Sequence, residues 1–397
     1  MNLQVSGQTP PAPDAGSPAA RAHTWLAENL TDRLRTDRAH DTPATLQERI
    51  AFEKSLHAAG FAGITWPTAY AGHGLGLREH LEINREIGRA PAPNSVNSIG
   101  KELAGPIIMA VGNDSQKERF LPAILKMQEI WCQGFSEPGA GSDLAALRTR
   151  AERTAEGWRI NGQKIWTSGA SKSQRCLLLA RTGTAEERHK GLVLFAVPIS
   201  APGIDVREIT SIDGQRSFCE VFFNDVIVDE ADMLGAPDEG WAAATRVLSI
   251  ERASNRMYRS WRFQSELEHL VAACRTDARA RAIMQPYARQ LAQIRVEVEM
   301  LKGLVETLVE RLIAGEEIGP NGSFPKLYWS EAHQRFARIG LEIVSQFPPG
   351  VEGPLHDLRA RMQDIYLSSR AETIYAGTTE IQLDIIAKRI LNLKRAA

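Results

Sequence analysis

The chain has 397 residues, enough for two or three domains at roughly 100–200 residues each. Hydrophobic residues at 43% and charged residues at 24% fit a globular protein and exclude global disorder. With 47 basic and 48 acidic side chains the net charge is −1, which gives no one-sided field for nucleic acid or an anionic membrane.

Residues 1–20 carry neither a basic n-region nor an apolar h-region and read as a frayed tail. No apolar run approaches the roughly 18 residues of a membrane span, and a cytoplasmic location is expected. From 21 to 131 the pattern is helical, with Leu46, Ile50, Leu56 and Phe61 at helix-compatible intervals and Leu81 to Ile87 continuing the period. Gly72-His73-Gly74-Leu75-Gly76 lacks the spacing and the preceding strand of a phosphate loop and reads as a turn. Strand signals occupy 132–236. Trp158-Arg159-Ile160 meets Asn161-Gly162 and resumes at Gln163-Lys164-Ile165-Trp166, a pattern that predicts a hairpin turning at Asn161-Gly162. Further runs are Leu177 to Leu179, Leu192 to Val197, Val221 to Phe223 and Val226 to Val228, a spacing that suggests a small barrel or sandwich. From 237 to 397 helix returns. Ile294, Val298, Leu301, Val305, Leu308 and Leu312 form one stripe, a second helix covers about Lys326 to Gln346, and a last one about Thr379 to Leu393. Cys132, Cys176, Cys219 and Cys274 form no CxxC pair and read as reduced, buried thiols; the nine histidines show no metal-binding pattern.

The densest signal is Gln133-Gly134-Phe135-Ser136-Glu137-Pro138-Gly139-Ala140-Gly141-Ser142-Asp143, a loop rich in backbone freedom and donors at the entry to the β block. Some twenty residues on, Asn161 to Ser168 places a tryptophan and hydroxyls at a strand end. With Ile212-Asp213-Gly214-Gln215-Arg216-Ser217, Leu234-Gly235 to Gly240-Trp241, Glu251-Arg252 and Ile374-Tyr375-Ala376-Gly377-Thr378-Thr379-Glu380-Ile381-Gln382, these segments resemble the acyl-CoA dehydrogenase family, in family order from about residue 25 to 393.

The resemblance implies an α+β chain: an N-terminal helical domain, a middle β-barrel domain and a C-terminal four-helix bundle, with FAD between the last two. It implies that Gln133, Phe135 and Ser136 present groups to the flavin, that Trp166 lies against the ring with Thr167 and Ser168 beside it, and that Thr378 and Glu380 serve the pyrophosphate and adenosine side. Ser142, Arg252 and Ala376 are implied to meet the thioester substrate, an acyl-CoA or acyl-carrier thioester, and an electron-transfer flavoprotein is the implied acceptor. The activity implied is FAD-dependent α,β-dehydrogenation to a trans-2-enoyl thioester. Removing the α-proton needs a desolvated carboxylate base and donors around the thioester oxygen.

The chain departs from the pattern in informative places. The position before Gly377-Thr378 that carries the catalytic glutamate in many members is Ala376, which takes no proton. A minority place the base in a Glu-Arg pair on the long helix after the β domain, and Glu251-Arg252 matches it. The stretch Arg275 to Pro286 lacks a Phe-Gly, and Gln346-Phe347-Pro348-Pro349-Gly350 stands where members have Gln-x-x-Gly-Gly; a double proline cannot offer the same two N–H groups. These departures resemble a bacterial branch of α2β2 heterotetramers that act on bulky esters. A homo- or hetero-oligomer, dimer or tetramer, therefore stays open. So does a subunit that completes a partner's site without turning over alone, and so do flavin oxidase or monooxygenase chemistries on the same fold.

Overall fold

A computed structural model describes residues 16–35, 43–184, 186–237, 239–250 and 257–393. Six α-helices come first among the described residues: α1 (Pro18–Asn29), α2 (Asp32–Arg35), α3 (Pro43–Ala58), α4 (Leu77–Arg89), α5 (Gly105–Val111) and α6 (Asp114–Leu125). Local chemistry sets their starts. Ser17 accepts from the Ala20 N–H and a proline opens α1, while Asn113 and Gln116 form a reciprocal capping box at α6. The Gln116 amide also donates to the Ala231 and Met233 carbonyls, which ties α6 to the end of the β block.

Eight strands follow among the described residues: β1 (Trp131–Gly134), β2 (Arg150–Thr154), β3 (Gly157–Ser168), β4 (Arg175–Arg181), β5 (Leu192–Pro198), β6 (Ile204–Ile209), β7 (Phe218–Val228) and β8 (Met233–Leu234). They hydrogen-bond in the order β6-β7-β3-β2-β4-β5-β8, with β1 parallel to β4. Both faces of β4 and β5 are buried. Leu177, Leu179, Leu192 and Leu194 pack against the N-terminal helices. The alternating Cys176, Leu178, Val193 and Phe195 join Trp158, Phe223 and Val226 in a core made from strands alone, so the sheet curls around its own interior.

The hairpin expected at Asn161-Gly162 is not there. β3 runs straight through those residues, and the turn to β2 falls at Ala155-Glu156, where Gly157 takes φ +125° and the Thr154 hydroxyl donates to the Gly157 carbonyl. Asn161-Gly162 is instead a bulge against β7, pinned by Asn161 accepting from the Asp225 N–H and donating to its carboxylate. The runs at Val221 and Val226 likewise belong to one strand, β7, joined across Asp225 at φ +50°.

The third block contains α7 (Gly240–Ile250), α8 (Tyr258–Thr276), α9 (Ala278–Met284), α10 (Ala288–Ile313), α11 (Ser323–Ser345), α12 (Pro354–Ser369) and α13 (Thr379–Ile385). Ile294, Val298, Leu301 and Val305 of α10 bury against Phe336, Ile343, Leu358 and Met362 of α11 and α12. The first and third blocks meet where α4 crosses α8. Gly88 lies against the Tyr258 carbonyl and Trp261, and Arg85 stacks 5.5 Å over the Trp261 ring while pairing with Glu306 at 2.8 Å. All four cysteines are free and buried, as expected. No helix among the described residues is long and apolar enough to cross a membrane.

Candidate active site

Two groups of the expected residues come together in different blocks. In the β block, the loop after β1 is stapled to β3. The Ile165 N–H donates to the Ser136 carbonyl at 2.9 Å, and the Lys164 ammonium donates to the Phe135 carbonyl at 3.0 Å and to Glu137 at 2.8 Å. Lys164 is 0% exposed and Glu137 only 8%. Glu137 also accepts from the Arg148 and Thr149 N–H groups at 2.6 and 2.8 Å. Burial pushes the Glu137 carboxyl up, but Lys164 and these donors outweigh it and hold it below its ordinary value; burial also lowers the Lys164 ammonium against the pull of Glu137. This buried pair and the Ser136–Ile165 bond hold Phe135 and Ser136 against the strand that carries Trp166, Thr167 and Ser168, while Gln133 lies in β1 opposite Leu177 of β4. The pair's spacing across 27 residues gave no sequence signal.

The β3–β7 register shifts between Lys164 and Thr167, and Trp166 takes φ +59°. That left-handed backbone at a bulky residue holds the indole out, 57% exposed, with its edge on Phe218 at 6.0 Å. Beside it the Thr167 hydroxyl is buried and has no hydrogen-bond partner among the described residues. An exposed indole plane next to an unsatisfied hydroxyl suits a flat heteroaromatic ring with acceptor atoms, so these residues fit a flavin.

The second group is the turn between α12 and α13. Ala376 has φ +56°, and among the described residues no acceptor takes its N–H. Its carbonyl and that of Gly377 accept from the Gln382 amide at 2.9 and 3.3 Å, and Lys326 donates to the Gly377 carbonyl at 2.6 Å. Gln382 is fully buried and its own amide oxygen has no partner among the described residues. Thr378 caps α13 by accepting from the Ile381 N–H, and a backbone N–H and the Thr378 hydroxyl lower the Glu380 carboxyl.

A cavity of about 1390 Å³ is walled by Trp166 and Phe218 from the strands and by Ile374 and Tyr375, which directly precede Ala376; Gln133, Phe135, Ser136, Thr167, Ser168 and Ala376 are not among its lining residues. Ser142 is exposed in a loop whose Asp143 pairs with Arg188 at 2.8 Å and is not among the cavity's lining residues. Thr378 and Glu380 are likewise outside that wall. Glu251 and Arg252 lie outside the described residues; α7 ends at Ile250, and Tyr258 and Arg259, at the start of α8, line the cavity.

Sequence reading missed one cluster in this wall. His333 is buried with Nδ1 2.8 Å from Glu372 and Nε2 2.9 Å from Glu266. Burial disfavours its charge, but Glu372 and Glu266 raise its pKa to about 10. The imidazolium stacks on Trp329 at 5.7 Å.

Comparison with known proteins agrees with this fold. The N-terminal, middle and C-terminal domain models of acyl-CoA dehydrogenases match residues 19–128, 132–226 and 238–391. The acyl-CoA dehydrogenase IpdE1 of Mycobacterium tuberculosis is 37% identical over 95% of this chain and 97% of its own, and IpdE1 of Mycolicibacterium smegmatis 34% identical over 95% and 97%. Among solved structures, the Tcur3481-Tcur3483 steroid ACAD superposes with a TM-score of 0.84 at 26% identity, covering 95% of this chain and 97% of that one. The ChsE4-ChsE5 complex from Mycobacterium tuberculosis gives 0.80 at 27%, covering 96% and 97%. The chain belongs to the acyl-CoA dehydrogenase family, as an FAD-dependent oxidoreductase that acts on acyl-CoA.

Proposed function

We propose that the chain carries out the α,β-dehydrogenation of an acyl-CoA thioester to its trans-2-enoyl-CoA, with Glu251 as the base. The observation that carries this reading is the Ala376 N–H, without an acceptor among the described residues and presented by a left-handed backbone directly after Ile374 and Tyr375, which line the cavity together with Trp166. A donor so placed can stabilise negative charge on the thioester oxygen as the α-proton leaves. Alanine supplies no base, so the carboxylate must come from elsewhere. In the sequence Glu251 directly follows α7, which ends at Ile250, and precedes Tyr258 and Arg259 of the cavity wall. Its carboxylate takes the α-proton as a carbonyl-conjugated C=C bond forms. When bound, FAD supplies the two-electron acceptor for the β-hydride, and an electron-transfer flavoprotein is the acceptor that follows. Trp166, Thr167, Ser168, Gln133, Phe135 and Ser136 hold the flavin ring; Thr378 and Glu380 serve its pyrophosphate and adenosine side. Arg252 and Ser142 serve the substrate.

The test is anaerobic mixing of the yellow protein with acyl-CoA. The wild type should bleach, and Glu251→Gln with full FAD content should bleach at least about 100-fold more slowly. A Glu251→Gln protein that bleaches at the wild-type rate removes Glu251 from the mechanism.

A second reading places the chain as one subunit of a heteromeric enzyme. It is supported by Pro348-Pro349, where the sequence departs from the family, by Ile374, Leu383, Leu391 and Leu393 left exposed near the C-terminal end, and by the similarity to the Tcur3481-Tcur3483 steroid ACAD and the ChsE4-ChsE5 complex. Colourless protein when expressed alone, yellow with a second chain, supports it; a lone homo-oligomer with flavin and turnover refutes it.

A further inference from the structure

A cavity built for a plain hydrocarbon tail is lined by apolar side chains, since each unpaired polar group in the wall would be desolvated without return. Where the helical first block meets the bundle, the wall of this cavity is polar: Ser95, Ser98, Glu102, Arg259 and Arg262. Arg262 is structurally engaged, donating to the Asn94 side chain at 2.8 Å and the Ala92 carbonyl at 2.6 Å.

Arg259 is different. It stands in the first turn of α8 with its guanidinium 4.6 Å over the Trp329 ring and 6.0 Å from that of Tyr375. Among the described residues no carboxylate lies within ion-pairing distance of it. Burial works against its charge, but Tyr375, Tyr258 and Glu102 hold its pKa above the ordinary arginine value, so it is a permanent cation. Tyr258 hydrogen-bonds the guanidinium, but the aromatic faces stabilise its charge without using the remaining in-plane N–H donors, which form a fork that matches oxygen lone pairs. The fork is also indexed to the reaction centre: Tyr375, one of its aromatic partners, directly precedes Ala376. The other partner, Trp329, is clamped on its second contact by His333, itself locked between Glu266 and Glu372.

Resting on the dehydrogenase reading above, we propose that Arg259 is a specificity-determining residue that selects acyl-CoA substrates whose acyl group carries a hydrogen-bond-accepting oxygen, a ketone or a carboxylate, beyond the β-carbon. The aromatic clamp fixes the guanidinium, so the oxygen gains its bonds without the entropy of ordering a free arginine. A saturated hydrocarbon at the same place would strip water from the cation and return nothing.

The experiment compares three esters of one shape on the flavin-loaded protein: 3-cyclohexylpropanoyl-CoA, its 4-oxo derivative and its 4-carboxy derivative. Rates of anaerobic flavin reduction are read, with calorimetric affinities for the corresponding CoA thioethers, which cannot be dehydrogenated. The wild type should favour an oxygenated ester over the carbocycle by about 10- to 100-fold, the span of a charge-assisted hydrogen bond. In Arg259→Met that ratio should fall to near one in both rate and affinity. Arg259→Lys should keep part of the preference for carboxylate and lose that for ketone if the fork geometry matters. The two oxygenated arms decide which oxygen is the natural one. A wild-type ratio near one, or an Arg259→Met that weakens all three ligands by one common factor, overturns the proposal. If no ester reduces the flavin, the dehydrogenase reading falls, and the thioether affinities alone judge Arg259. If Arg259→Met does not fold, the wild-type ratios and Arg259→Lys still decide.

Discussion

Replacing Lys164 by methionine tests the buried pair that holds the loop after β1, proposed above to face the flavin. The substitution keeps the aliphatic stem but removes an ammonium that donates to Glu137 at 2.8 Å and to the Phe135 carbonyl at 3.0 Å, at a site with 0% exposure. Stripping one partner from a buried ion pair costs about 3–5 kcal/mol, because the remaining charge stays desolvated. Glu137 retains the Arg148 and Thr149 N–H donors, so the lower end, about 3 kcal/mol, is expected. The assay is the urea midpoint followed by β-block fluorescence, with FAD content measured on the same samples. Adding Glu137→Gln to Lys164→Met removes the stranded charge, and the double variant should regain a substantial part of the loss. The wild type also gains an acid signature. The Glu137 carboxyl is lowered in the fold, so its contribution is present above its ordinary value of 4.5 and is lost as pH falls through the lower folded value. Lys164→Met should flatten that acid limb. A single variant that loses less than about 1 kcal/mol, or a double variant no better than the single, refutes the reasoning.

Other outcomes follow from neighbouring features. His333 is raised to about 10 by Glu372 and Glu266 against the effect of burial, so its stabilisation is complete below its ordinary 6.5 and is lost as pH rises through about 10. Thermal midpoints measured from pH 6 to 10 should fall in the wild type and change much less in His333→Gln. Gly88→Ala places a methyl against the Tyr258 carbonyl and Trp261 where α4 crosses α8, and should cost about 1–3 kcal/mol in a denaturation midpoint. Trp166→Ala removes the exposed indole plane and should weaken FAD binding about 3- to 10-fold by equilibrium titration, with little effect on the apoprotein's melting.

The helical part of this fold was legible because its signal is periodic and long: of the stripe Ile294, Val298, Leu301, Val305, Leu308 and Leu312, the first four are buried in one core, while Leu308 packs with Ile318 and the partly buried Leu312. The strand block was legible in content but not in its turns. Asn161-Gly162 carries the residue types of a tight hairpin, yet the pairing of β3 with β7 keeps the strand extended there. The real turn uses Gly157 at positive φ and a threonine hydroxyl. Register is decided by partners sixty residues away, which no short window contains. Motif residues Phe135, Ser136 and Trp166 could be picked out because they lie within two short segments. The Glu266–His333–Glu372 cluster and the clamp on Arg259 could not, since their members are 67 and 39 residues apart in one case and 70 or more in the other.

The four sheltered thiols lend the protein a built-in gauge of opening. Cys132, Cys176 and Cys219 share the interior that the sheet wraps around itself, while Cys274 belongs to the bundle. Burial raises the Cys132 and Cys274 thiols, so neither offers much thiolate to an alkylating reagent while the fold is closed. Mass-resolved alkylation over time would therefore date the breathing of sheet and bundle separately, without any engineered label. Loading the protein with flavin should slow the first clock more than the second, since the stapled loop and the bulged tryptophan both belong to the sheet.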